Sequence, residues 1–110
     1  MVSIEESDQV CVIKVDSVRL DSAVGTVIRN SVGSRLESHN KFVLDLTDVK
    51  LVDSGGLGSL VAILKNTSAN KAHLVLAGMQ KSVKLMFELS RMDRQFTLYP
   101  DVTSALQAVR

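Results

Sequence analysis

Short apolar runs alternate along this chain with longer stretches in which apolar residues recur every three or four positions. Such runs, rich in valine, leucine and isoleucine, indicate buried strands. The predicted strands are a short one around Val2 to Glu5, then Val10 to Val15, Lys41 to Leu46, His73 to Ala77 and Phe96 to Tyr99. The stretches between them have the spacing of one helix face. The predicted helices run from Asp21 or Ser22 to about Leu36, from Ser54 to about Asn66, from Met79 to Leu89, and onward from Pro100-Asp101.

Strands and helices follow one another in this order along the whole chain. Such alternation predicts βαβ units with right-handed crossovers and a mostly parallel sheet. With 110 residues, 45% of them hydrophobic, the chain has the size of one core. We therefore expect one α/β domain over residues 1–110, with a parallel or mixed sheet of four to five strands and about four helices. Thr67 to Lys71 is expected to be a polar loop.

The segment Asp53-Ser54-Gly55-Gly56-Leu57-Gly58 marks the change from an apolar strand to an apolar-striped helix. Serine is a favoured N-cap, so Ser54 is predicted to cap this helix. The three glycines lower the intrinsic stability of the first turn by about 2 to 3 kcal/mol, so their missing side chains need a reason. Either the backbone adopts dihedral angles closed to other residues, or another surface approaches this turn closely.

Two polar residues after predicted strands are candidate site residues. Ser54 stands at a helix N-terminus, where unpaired N–H groups and the helix dipole favour an added phosphate. It is therefore either a site of phosphorylation or an ordinary cap in a glycine-rich turn. Asp21 follows the first strand region as Ser54 follows a later strand. This position puts Asp21 at the same edge of the sheet as Ser54, within reach of a metal ion or a partner's basic group. Capping of the first helix is the alternative for Asp21.

Composition and charge narrow the classes of partner. The chain carries 13 Lys and Arg against 12 Asp and Glu, a net charge of +1, and its aromatic content is 4%. This balance gives no general attraction to nucleic acid or anionic membranes, and the aromatic residues are too few to stack on bases. No run approaches a membrane span, and the N-terminus, with Glu5 and Glu6, is unlike a secretory signal, so we expect a cytoplasmic protein. Cys11 lies in an apolar run and is predicted to be a buried structural thiol.

Catalytic and metal-binding patterns are weak in this sequence. His39 and His73 fall at predicted strand starts, where we expect solvated turn residues, and no triad spacing with Ser54 can be read. One cysteine and two distant histidines offer no zinc spacing, and the glycine turn lacks the lysine of a nucleotide P-loop. We therefore expect no enzymatic activity, no metal and no cofactor.

Three segments carry a resemblance to a known family. The central one includes Val43-Leu44-Asp45-Leu46-Thr47-Asp48-Val49 and continues as Val52-Asp53-Ser54-Gly55-Gly56-Leu57-Gly58. It is flanked by Leu20-Asp21 and by Met92-Asp93-Arg94-Gln95-Phe96, with Ala105-Leu106 following later. Together these segments resemble the STAS domain of bacterial anti-sigma factor antagonists, also called anti-anti-sigma factors. The resemblance covers nearly the whole chain and implies a STAS-type fold.

The resemblance also implies a partner switch. Ser54 matches the serine that an anti-sigma factor of the GHKL type phosphorylates as a serine-protein kinase. The unphosphorylated antagonist would bind this kinase and free its sigma factor, phosphorylation would end the binding, and a PP2C-like phosphatase would restore it. The implied partner-binding residues are Asp21, Asp53, Ser54, Gly55, Gly56, Leu57 and Gly58.

The chain departs from the family pattern in two places. Gly55 stands where many members have Ser or Thr, which leaves Ser54 as the one candidate hydroxyl of the turn, and Asp16-Ser17-Val18 replaces a turn that commonly contains glycine. An alternative function is a non-phosphorylated STAS scaffold subunit of a transporter or another assembly. Control of a process other than transcription, such as secretion or biofilm formation, is a third option, because the output depends on the partner.

Overall fold

Seven strands and four α-helices alternate along residues 1–7 and 10–110, the part of the chain that the computed structural model describes. The strands are β1 (Val2–Ser7), β2 (Val10–Val15), β3 (Arg19–Leu20), β4 (Lys41–Asp45), β5 (Leu51–Val52), β6 (His73–Ala77) and β7 (Thr97–Tyr99). The helices are α1 (Ser22–Gly33), α2 (Ser54–Ala69), α3 (Lys81–Leu89) and α4 (Val102–Val109), with a 3₁₀ turn at Met92–Arg94.

Five strands form one sheet in the order β1-β2-β4-β6-β7. From β2 to β7 all neighbours are parallel, whereas β1 runs antiparallel to β2. The two remaining strands, β3 and β5, form a separate parallel pair. The predicted α/β fold, with a mixed sheet of up to five strands and four helices, is confirmed.

Helices cover both faces of the sheet, because side chains alternate in direction along each strand. Phe42 and Leu44 of β4 belong to the main core, which α1, α2 and α3 also fill. Val43, between them, belongs to a smaller cluster with Ala105 of α4. Because β2, β4, β6 and β7 run parallel, their following connections begin at one edge of the sheet. The strands β3 and β5, which lead into the candidate site, lie in the connections after β2 and β4.

The polar loop predicted after α2 is shorter than expected. Helix α2 continues to Ala69, so the prediction of a loop from Thr67 onward is wrong. The Thr67 side chain is fully buried, and its hydroxyl donates to the Leu64 carbonyl at 2.9 Å. A satisfied hydroxyl can face the core, so the polar residue does not end the helix here.

Other boundaries moved by a few residues. Helix α1 ends at Gly33, short of the predicted Leu36, and β7 begins after Phe96. Helix α3 begins at Lys81 and not at Met79, because Gly78 turns the chain with a φ of 76°. A residue with left-handed backbone angles interrupts a helix, and the spacing of apolar residues alone does not show where that happens.

The two histidines lie in different environments. His73 is exposed at the start of β6. The His39 side chain is only 9% exposed, and its ring centroid lies 6.5 Å from that of Phe42, so the prediction of a solvated turn residue is wrong for His39. The ring packs near Phe42, three residues later in the chain, and its Nδ1 atom lies 3.9 Å from Glu6 Oε1 of β1, a long-range approach that has no local sequence signal.

Candidate functional site

The short strands β3 and β5 place the starts of α1 and α2 side by side. They run parallel, with Leu20 opposite Val52. Each strand is followed by an aspartate and a serine, so that Asp21-Ser22 leads into α1 and Asp53-Ser54 leads into α2. The candidate site therefore consists of two neighbouring helix N-termini with the same local sequence.

Aspartate caps both helices. The Oδ1 atom of Asp53 accepts a hydrogen bond from the Gly56 N–H at 2.9 Å, and the Oδ1 atom of Asp21 accepts one from the Val24 N–H at 3.0 Å. Ser54 is the first residue of α2, so the prediction that Ser54 is the cap is wrong. Both residue types are favoured caps, and the extended backbone of Asp53, with φ of −91° and ψ of −179°, decides between them.

An arginine holds the second oxygen of the Asp53 carboxylate. The Nη2 atom of Arg19 donates to Asp53 Oδ2 at 3.2 Å, and the Arg19 side chain is 59% exposed. The hydrogen bond from the Gly56 N–H is the main reason why the pKa of the Asp53 carboxyl lies below its usual range; desolvation opposes this lowering, and Arg19 adds to it. A negative charge therefore already occupies the start of α2, which is less bare than the sequence suggests.

Ser54 is exposed to solvent. It stands at the first helical position, directly after the capping aspartate. Leu57, one turn later, is half-buried and packs against the main core. The surface around Ser54 therefore combines an exposed hydroxyl, a carboxylate and the uncovered part of a leucine.

The glycines of the first turn of α2 have different surroundings. A Cβ atom on Gly56 would lie 2.1 Å from the Leu20 carbonyl oxygen, and one on Gly55 would lie 3.2 Å from the Ser22 Cβ. Gly58 has nothing within 4 Å of that position. None of the three has a positive φ. Close approach explains Gly55 and Gly56, and the approaching surface belongs to this chain.

Asp21 lies at the same edge as Ser54, as expected from the strand order. Its carboxylate caps α1, which supports the capping alternative. Within residues 1–7 and 10–110, no group of three or more His, Cys, Asp and Glu side chains is placed to hold a metal ion. In the same part of the chain, no helix has the length and apolar content that a transmembrane span requires.

Three contacts near the starts of α1 and α2 were missed from the sequence. Arg19 pairs with Asp53, Ser22 lies against Gly55, and Gly25 lets α1 approach α2 so closely that a Cβ there would fall 2.2 Å from the Ser59 hydroxyl. The repeated Asp-Ser pair was a visible signal of two similar helix starts. The role of Arg19 had no local signal, because it depends on the pairing of two strands of two residues each.

Comparison with known proteins identifies relatives of this chain. The STAS domain model matches residues 1–105. A curated protein of Thermotoga maritima, named "Putative anti-sigma factor antagonist", is 32% identical over 74 residues, which cover 67% of this chain and 66% of that protein. The match thus spans slightly less than two thirds of the length of this relative.

Solved structures with this fold come from proteins of different kinds. The Bacillus cell fate determinant SpoIIAA in its phosphorylated form has a TM-score of 0.77 and 16% identity, with 100% of both chains covered. A sulfate transporter family protein from Wolinella succinogenes has a TM-score of 0.83 and 14% identity, over 91% of this chain and 84% of that one. At such identities the likeness establishes the fold alone. Because the family model matches nearly the full length, this chain belongs to the STAS domain family.

Proposed function

We propose that this chain is an anti-sigma factor antagonist that works as a partner switch controlled by phosphorylation of Ser54. In its unphosphorylated form it binds an anti-sigma factor that is also a serine kinase of the GHKL type, and so releases the target of that factor. Phosphorylation ends the binding, and a PP2C-like phosphatase restores it. The chain acts in the cytoplasm, binds no nucleic acid and has no catalytic activity of its own.

The observation that carries this proposal is the exposed Ser54 hydroxyl at the first position of a 16-residue helix. Asp53 supplies the cap, so the serine is not required for the start of α2. A side chain that is exposed and has no structural task is free to act as a phosphate acceptor. Membership of the STAS family supports the same role. So does the solved structure of SpoIIAA, which has a similar fold and is known in a phosphorylated form.

The charges around Ser54 explain how a phosphate would end binding. A phosphoserine carries about −1.5 to −2 charge at pH 7. On Ser54 it would stand beside the ionised Asp53, whose carboxylate already accepts the Gly56 N–H and the Arg19 guanidinium. A partner surface that fits a neutral hydroxyl would meet a dianion that Arg19 alone cannot neutralise, and desolvation of that charge would disfavour the complex. Loss of binding then requires no refolding of the chain.

Gly58 supports a partner that approaches the first turns of α2 closely. It is exposed, and a Cβ atom there would meet no atom of this chain. Alanine would stabilise this helix by about 1 kcal/mol relative to glycine, so the fold itself favours a side chain here. We therefore expect Gly58→Ala to raise the stability of the chain and to weaken its binding to the kinase.

Phosphorylation and binding assays with the purified kinase test the proposal. After incubation with ATP, intact-mass analysis should show one added phosphate on the wild type and none on Ser54→Ala. Ser22→Ala is the matched control, since Ser22 is exposed at the same position of α1, and it should be phosphorylated like the wild type. In a pull-down, Ser54→Ala should bind the kinase and Ser54→Asp should bind weakly. Equal binding by these two variants would contradict the switch.

The same assays separate the switch from the scaffold alternative. A scaffold subunit of a transporter or another assembly would keep its partner whether or not Ser54 carries charge. The likeness to the Wolinella succinogenes protein establishes the fold only and does not favour this alternative. Full binding of Ser54→Asp to a transporter subunit, with no phosphate incorporated at Ser54, would support the scaffold.

A further inference from the structure

The exposed apolar side chains of this protein are concentrated in one region. Five large hydrophobic side chains are exposed among the described residues, and Met1 is one of them. The other four form what we term the apolar strip, which consists of Val18, Leu51, Leu85 and Leu89, with exposures of 59%, 51%, 54% and 78%. Single exposed apolar residues are ordinary, but a contiguous set often marks an interaction site.

Hydrogen bonds place Val18 beside Leu51 and attach α3 to the residue before Leu51. Leu51 N–H donates to the Val18 carbonyl at 3.2 Å, which joins the two residues beside the β3–β5 pair. The next connection runs to α3, where the Ser82 hydroxyl donates to the Lys50 carbonyl at 3.1 Å. Ser82, Leu85 and Leu89 follow at positions i, i+3 and i+7 and therefore lie on one side of α3. The strip thus continues from β5 onto α3.

The leucines of the strip are not needed to hold α3 on the protein. Val83 and Phe87 are buried in the main core and attach the helix, and the Phe87 ring packs edge-on against Phe96 with centroids 5.8 Å apart. Leu85 and Leu89 point away from this contact. Folding alone accordingly gives no reason for large apolar residues at these two positions.

Positive charge surrounds the apolar strip. Lys50, Lys81 and Lys84 are exposed, and none of them forms an ion pair within the described residues. Lys81 and Lys84 line a surface groove of about 390 Å³ on α3, together with Leu85 and one acid, Glu88. Lys50 precedes Leu51, and its carbonyl is bound to Ser82 of α3, so the surface carries three unpaired lysines against the one acid of the groove. This surface complements a partner that presents acidic and apolar side chains together.

We propose that the apolar strip and its three lysines form a docking surface for an acidic, amphipathic helix of a partner protein. Leucine-like side chains of that helix would cover Leu51, Leu85 and Leu89, and its Asp and Glu residues would pair with the lysines. Leu51 is separated from Ser54 by two residues, so a partner that occupies the surface also covers the proposed phosphorylation site. The identification of that partner with the kinase rests on the proposed function, whereas the docking chemistry does not.

A peptide titration tests the docking chemistry without the kinase. The probe is a synthetic helical peptide with leucine on one face and glutamate on the other, added to the ¹⁵N-labelled chain. Amide resonances of the strip and of Lys50, Lys81 and Lys84 should shift, and the same peptide with lysine in place of glutamate should leave them unchanged. Absence of these shifts, equal shifts with both peptides, or shifts confined to another part of the chain would overturn the proposal.

Point variants test the surface with the purified kinase. Leu89→Gln and Leu85→Gln should each weaken binding about tenfold or more, because each removes a large apolar contact. Met1→Gln, made behind an N-terminal tag that the wild type also carries, is the matched control at the other exposed apolar residue, and it should bind like the wild type. If the kinase phosphorylates Ser54 but binds the leucine variants with wild-type affinity, the assignment of the kinase to this surface is refuted and the switch stands, while the peptide titration decides the docking chemistry.

Charge reversal gives an independent arm of this test. Lys84→Glu should weaken binding to the acidic peptide and to the kinase, and added salt should reduce the difference from the wild type. Lys65→Glu makes the same change on exposed α2 surface about 16 Å along the helix from Ser54, and it should have no effect. Self-association that Leu89→Gln abolishes, seen by sedimentation, would assign the surface to a second copy of this chain and overturn the proposal.

Discussion

Replacing Gly56 by alanine puts a methyl group into space that β3 already occupies. An ideal Cβ atom there lies 2.1 Å from the Leu20 carbonyl oxygen and 2.7 Å from both the carbonyl carbon and Cδ2 of Leu20. The oxygen is backbone and accepts the Asp53 N–H at 3.2 Å, so it cannot turn aside as a side chain would. The start of α2 must instead move away from β3.

The size of the effect follows from two opposing contributions. Overpacking of this kind costs about 1 to 3 kcal/mol and more where backbone atoms collide, while alanine returns about 1 kcal/mol of helix propensity. We expect Gly56→Ala to lower the free energy of unfolding by about 2 kcal/mol or more. With about 2.1 cal/mol/K of unfolding entropy per residue, each kcal/mol shifts the Tm of a chain this long by roughly 4 °C, so Tm should fall by about 8 °C or more.

Gly58→Ala is the matched control in the same turn. It has the same propensity gain, about 1 kcal/mol, and no steric cost, so its Tm should rise by about 4 °C. Thermal and urea unfolding followed by circular dichroism measure both variants under the same conditions. A Gly56→Ala variant as stable as the wild type, or two variants that shift in the same direction, would refute the contact between α2 and β3.

Two further predictions concern titratable groups. Hydrogen bonds from the N–H groups of Gly56 and Ser104 are the main reason why the pKa values of the Asp53 and Asp101 carboxyls lie below their usual range. A carboxyl whose pKa is lowered in the folded state stabilises the fold above the unfolded pKa of about 4, and this stabilisation is lost as the pH falls below that value. The urea midpoint of the wild type should therefore drop below about pH 4, and it should drop less in the Asp53→Asn, Asp101→Asn double variant. An equal dependence of the midpoint on pH in both proteins would contradict this. Cys11 is fully buried as predicted, and burial raises the pKa of its thiol. Iodoacetamide should therefore label this thiol only as fast as the chain unfolds. Rapid labelling of the native chain would show that β2 is accessible and would contradict the prediction.

The order of strands and helices could be predicted because each element carries its own periodicity. Val10 to Val15 is a strand with the predicted bounds, since five of its six residues are apolar and specify it locally. The β3–β5 pair could not be predicted, because strands of two residues have no period and exist through their contact with each other. The position of the α2 cap depends on this pair. For that reason the sequence predicted Ser54 as the cap, whereas Asp53 caps the helix.

The glycine turn shows how a correct signal received an incomplete explanation. The sequence indicated that missing side chains leave room for another surface, and the structure identifies that surface at Gly55 and Gly56 as β3 and the start of α1. A local pattern cannot distinguish an approach within the chain from an approach by a partner, because both require the same absent Cβ. Of the three glycines, only Gly58 has no close atom of this chain beside it, so an approaching partner remains an explanation for Gly58 alone.

The two helix N-termini lie close together, since a Cβ atom on Gly55 would lie 3.2 Å from the Ser22 Cβ. Asp21 and Asp53 cap parallel neighbouring helices, and Arg19, one residue before Leu20-Asp21, donates to Asp53 from the adjoining strand. A phosphate on Ser54 would compete with Asp53 for this guanidinium, which binds phosphate bidentately and reaches it from an exposed position. The carboxylate would then lose a partner when the site gains a dianion. The exchange of partners leaves the net charge of the site unchanged, but the phosphate itself adds about −1.5 to −2. That added charge repels a partner whose docking helix is itself acidic.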